Sequence, residues 1–291
     1  MISASAPGKL NLFFEVGGLR PDGYHPVVSV YQSLAIRQRV AVEQNEYWHV
    51  ITEGDLPKSQ LDLVPTDEEN LVVKAALALA EHCGISNPQK MRFHTYKQVP
   101  VAAGLAGGSA DAAAALLALN QAWGTGLESK ELTKVAAKVG SDVPFSLLGG
   151  TALGIDTGID LEVLPQAKEH HVVLLVSPIG LGTGGVFKKF DELFPEGDMT
   201  LSAMQVKQQL AEGTLQLGRN SLSAPALELR PELAQYFELV PGTKGHMTGS
   251  GPTVYFLTEE AAAAEELTAT LRQQGHFVIL TSFGTEGAKL D

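Results

Sequence analysis

The hydrophobic pattern opens with strands. Ile2 to Val16 reads as an extended segment broken at Pro7-Gly8, and Arg20-Pro21-Asp22-Gly23 is a dense turn signal. Alternation resumes over Val27 to Val42 and Tyr47 to Thr52. The period then becomes helical from about Asn70 to His82, returns to a strand over Met91 to Tyr96, and passes through a glycine-rich loop into a second helix. Helical spacing continues through Lys130 to Val139 and Val143 to Leu148, with Gly140 and Gly149 as C-terminal stops. Past Gly150-Thr151-Ala152 the pattern restarts with an apolar strand, His171 to Ser177, and helices near Val186 to Leu193 and Ser202 to Ala211. A strand at Val254 to Leu257, a helix at Glu259 to Gln274 and a strand at Phe277 to Thr281 follow. Strands and helices mix without repeated βαβ units or solenoid-length repeats, so the expected class is α+β. The restart predicts two domains, 1–160 and 161–291.

Length agrees with that division, because 291 residues exceed the size at which one core usually stops growing. The charge narrows the partners. With 33 acidic and 21 basic side chains the net charge is −12, which repels a nucleic acid backbone or an anionic membrane at long range. A small phosphate ester can still bind where lysines and helix N-termini reverse the field inside one cleft. The single cysteine, Cys83, excludes an intramolecular disulfide and any multi-cysteine metal site, and a reducing cytoplasm is the expected setting. Met1 to Phe14 lacks a basic stretch followed by an apolar one, and apolar runs such as Val172 to Val176 fall far short of the roughly 20 residues that span a membrane.

Four segments carry candidate chemistry. Pro100-Val-Ala-Ala-Gly104-Leu-Ala-Gly107-Gly108-Ser109-Ala-Asp111 runs into an Ala/Leu helix ending near Asn120. Glycines leave backbone N–H groups unobstructed and the helix N-terminus adds partial positive charge, which favours phosphate. It is neither a Walker loop, since no Lys precedes Ser109, nor a dinucleotide loop, and read alone it is equally a tight turn capped by Ser109. In Ala6-Pro7-Gly8-Lys9-Leu10-Asn11-Leu12, Lys9 and Asn11 share one strand face and Leu10 and Leu12 the other. That places a cation and an amide over a polar substrate, or a snorkelling lysine at a sheet edge. In Gly140-Ser141-Asp142-Val143-Pro144-Phe145, Pro144 suits a first helical turn. Asp142 or Ser141 is then a cap, and a carboxylate so placed also suits proton acceptance from a hydroxyl. Thr248-Gly249-Ser250-Gly251-Pro252, ahead of the strand from Thr253, allows a close backbone approach or simply a turn.

Gly180-Leu-Gly182-Thr-Gly184-Gly185 satisfies the dinucleotide fingerprint, which raises an NAD-dependent oxidoreductase as an alternative. Its required acidic strand end is missing, because Met204 to Ala211 is a helix pattern.

Taken in order, the four segments resemble the motifs of the galactokinase, homoserine kinase and mevalonate kinase (GHMP) superfamily. The resemblance to the diphosphocytidyl-methylerythritol kinases covers nearly the whole chain. Its most specific stretch is Pro7-Gly-Lys-Leu-Asn-Leu-Phe-Phe-Glu-Val-Gly-Gly-Leu-Arg-Pro-Asp-Gly-Tyr-His25, and Gly140 to Phe145 and Asp67 to Ala75 also match. The resemblance implies the two-domain GHMP kinase fold, with an N-terminal ATP-binding domain like the second domain of ribosomal protein S5, a C-terminal substrate-binding ferredoxin-like domain, and the active site between them. It implies transfer of the ATP γ-phosphate to the 2-hydroxyl of diphosphocytidyl-methylerythritol, a step of the non-mevalonate isoprenoid pathway. Asp142 would be the base and Lys9 its electrostatic partner. Asn70, Lys97, Pro100, Ala102, Gly104, Leu105, Ala106, Gly107, Gly108 and Ser109 would hold the nucleotide. Asn11, Tyr24, His25, Thr183 and Phe187 would hold the cytidyl substrate, and Ser109 is a candidate ligand for the Mg²⁺ that accompanies ATP.

The family loop commonly reads Gly-Leu-Gly-Gly-Gly-Ser-Ser-Asp, whereas this chain has Ala106 for a glycine and Ala110 for a serine. If position 106 needs a positive φ, alanine there is strained. Rival readings are a mevalonate- or homoserine-type kinase, which need not carry Tyr24-His25, and an S5-like RNA-binding module, which the net charge opposes. The expected assembly is a monomer or weak homodimer.

Overall fold

The computed structural model describes residues 1–178 and 180–291. Its strands are β1 (Ile2–Val16), β2 (Val27–Gln44), β3 (His49–Gly54), β4 (Met91–Lys97), β5 (Thr151–Asp156), β6 (Asp160–Val163), β7 (His171–Val176), β8 (His246–Met247), β9 (Val254–Thr258), β10 (Phe277–Ser282) and β11 (Lys289–Leu290). Its α-helices are α1 (Lys58–Leu61), α2 (Leu71–His82), α3 (Gly107–Ala122), α4 (Ser129–Val139), α5 (Val143–Leu148), α6 (Thr183–Leu193), α7 (Ala203–Ala211), α8 (Ser223–Leu229), α9 (Ala234–Phe237) and α10 (Ala261–Gln273).

A seven-stranded sheet runs β11-β1-β2-β4-β3, with β5 also paired to β2 and β6 to β5. The last strand of the chain thus returns to the first sheet, Ala4 facing Leu290. A second, four-stranded sheet has the order β10-β7-β9-β8. Its pairings β7–β10, β7–β9 and β8–β9 are all antiparallel, which excludes the parallel dinucleotide fold that Gly180 to Gly185 suggested.

The central helix, α3, explains why its sequence is so rich in alanine. Ala112, Ala113, Ala114, Ala115 and Leu116 are all fully buried, so the helix is apolar all round and sits between the first sheet and α2. Small side chains let these neighbours approach closely. By contrast α4 is amphipathic, burying Leu132, Val135 and Ala136 at i, i+3 and i+4. A second core cluster joins the two halves of the molecule, with Leu10, Leu12 and Phe13 of β1 packed among Val172 and Leu174 of β7 and Tyr255 of β9. A third lies under α6, α8 and α10.

Pro7-Gly8 does not end β1. The strand continues through it with register irregularities against β2 between Pro7 and Lys9 and again between Asn11 and Phe13. Such irregularities re-aim side chains, and here they bracket Lys9 and Asn11. Among the described residues no helix is long and apolar enough to cross a membrane.

Candidate active site

A cleft of about 1330 Å³ lies between the two halves. Its floor begins with β1. Lys9 is only 4% exposed, yet it lines the cleft, so it is not a snorkelling edge lysine. Its ammonium donates to Asn11 Oδ1 at 2.6 Å and lies 3.8 Å from Asp142 Oδ2. The Tyr31 ring, on the adjacent β2, has its centroid 5.6 Å from the Lys9 Nζ. Burial pushes the Lys9 ammonium below its ordinary range, and Asp142 offsets part of that drop.

Asp142 stands at the N-cap position of α5 but makes no side-chain capping hydrogen bond. Its carboxylate instead faces Lys9 across the cleft wall. Capping, the alternative that sequence left open, is therefore not what this side chain does.

The glycine loop forms the adjoining wall. Ala102, Gly104, Ala106, Gly107, Gly108 and Ser109 line the cleft, the last three as the first turn of α3, whose N-terminus opens onto it. The Leu105 carbonyl accepts from the Lys9 backbone N–H at 3.0 Å, which fixes the loop to the strand carrying the lysine. Ala106 has φ +57° and ψ +32°, and Ala102 φ +51°. Position 106 does need the left-handed conformation, and alanine accepts it at a cost of about 1–2 kcal/mol.

The Thr248 to Pro252 segment meets this loop. A Cβ on Gly104 would fall 2.3 Å from the Thr248 carbonyl, so the close approach the glycines allow is between the two halves. The Thr248 hydroxyl accepts from the Asn11 N–H at 3.1 Å and reaches the Gly104 carbonyl at 3.3 Å.

The opposite end is aromatic. Tyr24, 62% exposed, His25 and Phe187 all line the cleft. His25 donates from Nδ1 to the Gly17 carbonyl at 2.9 Å, has Nε2 3.4 Å from Asp191, and packs against Phe187 at 5.2 Å between ring centroids. Thr183 opens α6 with its hydroxyl 2.9 Å from that of Ser250.

Thirteen of the sequence-derived residues meet here: Lys9, Asn11, Tyr24, His25, Ala102, Gly104, Ala106, Gly107, Gly108, Ser109, Asp142, Thr183 and Phe187. Four do not line the cleft. Asn70 caps α2, accepting from the Val72 N–H at 3.0 Å and donating to the Pro65 carbonyl at 2.7 Å. Lys97 is buried in an ion pair with Asp111, whose second carboxylate oxygen has no hydrogen-bond partner among the described residues. Pro100 and Leu105 are buried in the loop's base. Asn11 reaches the cleft but its amide is largely engaged, with Nδ2 donating to Ser29 Oγ at 2.8 Å. Sequence reasoning missed Arg20, Tyr31, Asp156 and Asp191, which also line the cleft. Only Arg20 had a signal, its place in the turn before Tyr24.

A cleft with a helix N-terminus on one wall, a lysine–carboxylate pair at its floor and aromatic rings at its far end suits phosphoryl transfer to a small alcohol. The chain matches the model of the GHMP kinases N terminal domain over residues 70–150 and that of the GHMP kinases C terminal domain over residues 203–276. Fold and site thus define a GHMP kinase. The 4-diphosphocytidyl-2-C-methyl-D-erythritol kinase of Nocardioides sp. is 40% identical over 96% of each chain, and that of Salinispora arenicola is 40% identical over 91% of this chain and 86% of the relative. A crystal structure of 4-(cytidine 5'-diphospho)-2C-methyl-D-erythritol kinase superposes with a TM-score of 0.74 at 28% identity, covering 97% of this chain and 99% of the other. The chain belongs to the 4-diphosphocytidyl-2-C-methyl-D-erythritol kinase family within the GHMP kinases. It is an enzyme, a kinase with ATP as phosphate donor.

Proposed function

We propose that this kinase phosphorylates the 2-hydroxyl of 4-diphosphocytidyl-2-C-methyl-D-erythritol, with Asp142 as base and Lys9 as its electrostatic partner. The observation that carries the residue roles is the 3.8 Å pairing of a buried lysine with Asp142 at the cleft floor, within one cavity that also holds the glycine loop and the aromatic end. The chemistry follows from charge and position. A carboxylate cannot strip an alcohol in its ground state, so the proton moves late, as the bond from oxygen to phosphorus forms. Asp142 aims the hydroxyl and then takes its proton, which ends on the carboxylate. Lys9 opposes the negative charge that gathers on the transferring group and its acceptor. The N–H groups at the start of α3 bind the phosphates of ATP, and the Tyr24 and Phe187 faces stack the cytosine.

Mg²⁺ fits this donor set. Among the described residues no group of three or more His, Cys, Asp or Glu could cage a metal. Mg²⁺ commonly keeps its waters and draws ligands from substrate phosphates and one or two side chains. Ser109, on the cleft wall, would hold it. When bound, the ion neutralises phosphate charge. The single cysteine accords with a reducing cytoplasm.

A coupled assay of ADP release with diphosphocytidyl-methylerythritol, mevalonate, homoserine and galactose tests the reading. Turnover confined to the cytidyl alcohol is expected. Preference for mevalonate or homoserine would replace the substrate while leaving the kinase.

A further inference from the structure

One ion pair at the aromatic end lies outside the chemistry above. Arg20 and Asp22 belong to the turn that carries Tyr24, and that turn is closed on itself. The Arg20 N–H donates to the Tyr24 carbonyl at 2.9 Å, the Gly23 N–H donates to the Arg20 carbonyl at 3.0 Å, and the Tyr24 N–H donates to Asp22 Oδ1 at 3.0 Å. The Arg20 guanidinium then forks. One nitrogen is 3.1 Å from Asp22 Oδ2, and another makes a short hydrogen bond to Asp156 Oδ1. Asp22 belongs to the turn itself, whereas Asp156 is the last residue of β5, on a different element.

Asp156 is unusual in its backbone as well. It has φ +59°, a conformation that glycine adopts freely and aspartate is among the few other residues to tolerate. It also pairs in register with Val27, two residues beyond His25, at the point where β2 leaves the turn. Both Arg20 and Asp156 line the cleft. A carboxylate held at a position that suits glycine, and spent on the guanidinium of the recognition turn, ties a surface loop to the sheet.

We infer that Asp156 is a positioning residue for base recognition. Through Arg20 it holds the Tyr24 turn over the cleft, so that the aromatic face is in place before the cytidyl group arrives. The inference rests on the cytidyl reading proposed above. Loss of this tether lets the turn move, so the protein must order it on binding and affinity for the cytidyl end falls. The effect is modest because both groups are partly exposed to water. The phosphate loop and the Lys9–Asp142 pair are built from other elements and are unaffected.

The test compares Asp156→Gly, Asp156→Asn, Arg20→Ala and the Arg20→Ala/Asp156→Gly double variant with the parent protein. Calorimetric binding of CDP and ADP, thermal melts and steady-state kinetics provide the readouts. Asp156→Gly relaxes the backbone while removing the carboxylate, so its melting temperature should hold or rise. Its affinity for CDP should nonetheless fall about 3- to 5-fold, with ATP KM and kcat unchanged. The double variant should be no weaker than Arg20→Ala, because the two changes cut the same tether. CDP affinity unchanged in Asp156→Gly, or losses that add in the double variant, would overturn the inference. So would a parallel fall in kcat or ATP binding, or a weakening of CDP that tracks lost stability. If CDP fails to bind the parent protein at a site that ADP leaves free, the cytidyl reading fails and this inference with it. CDP selectivity retained in full by Asp156→Gly sinks this inference alone.

Discussion

Replacing Asp142 by asparagine separates chemistry from packing at the cleft floor. The Lys9 ammonium and the Asp142 carboxylate are 3.8 Å apart, and at an effective dielectric of about 20 their attraction is about 4 kcal/mol. That is an upper figure, because burial of Lys9 opposes it and the Asp142 side chain is 28% exposed to screening water. The carboxylate makes no capping hydrogen bond to α5, so asparagine removes none, and what stability is lost at neutral pH comes from Lys9 losing its partner and stays below that upper figure. Activity should fall far more. Loss of the proton acceptor should lower kcat by about 10²-fold or more in a coupled assay with saturating substrates. A second signature follows from Lys9. Burial lowers its pKa and Asp142 raises it, so the variant's ammonium should titrate lower than in the parent. An unfolded lysine near 10.5 then holds its proton more tightly than the folded one. Stability of Asp142→Asn should therefore gain on the parent as pH rises toward 10.5, as melts between neutral and alkaline pH would show. Matching losses of stability and activity, with no difference in pH slope, would refute the assignment.

Lys9→Met keeps the apolar stem and should lower kcat more than it raises the KM for ATP; an effect on the ATP term alone would make Lys9 a nucleotide contact instead. Tyr24→Ala and Phe187→Ala should each reduce kcat/KM for the cytidyl substrate by roughly 5- to 150-fold with ATP parameters nearly unchanged, and equal losses with non-cytidyl alcohols would count against base stacking. Ala106→Gly should relieve the left-handed alanine and raise stability by up to about 1 kcal/mol in chemical denaturation, without weakening ATP. Glu15, fully buried, accepts from the Thr200 N–H and hydroxyl, the Leu201 N–H and Arg219. Burial raises its carboxyl, but these hydrogen bonds outweigh that and hold it below its ordinary 4.5. Its contribution is thus fully present above pH 4.5 and lost as pH falls through the depressed folded value, so parent and Glu15→Gln melting curves should converge in acid.

Much of the fold was legible because its longest elements carry strong periods. The strand from Ile2, the helix from Leu71 and the alanine-rich helix from Gly107 all stand where the pattern put them. Others left no trace in local sequence. The hairpin of β5 and β6 is short and interrupted by Gly154 and Gly158, and Pro225 disguised α8. β11 is two residues whose only warrant is pairing with Ala4 and Ser5 across the length of the chain. The same holds within the site. Lys9 and Asp142 each stood out locally, on a polar strand face and at a helix start, but their pairing was implied only by a resemblance, since no periodicity relates positions so far apart. The cap that Asn70 makes on α2 is local and readable from an Asn ahead of a helical period, whereas the pairing of Lys97 with Asp111 depends on a tertiary arrangement.

Both sheets contribute to the floor of the cleft. Lys9 lies on β1, and its amide partner Asn11 is two residues further along the same strand. The Asn11 backbone is held from the other half, its N–H by Thr248 and its carbonyl by the Tyr255 hydroxyl at 3.0 Å. Thr248 also reaches the Gly104 carbonyl, where the glycine loop bends with φ +75°. One buried threonine thus ties the strand carrying the lysine to the glycine loop. Because no side chain fits at Gly104 against the Thr248 carbonyl, the two backbones can stay in contact beside the strand that carries the lysine. The second half of the chain therefore does more than offer an aromatic wall to a substrate. It holds the Asn11 backbone, two residues from Lys9, against the glycine loop.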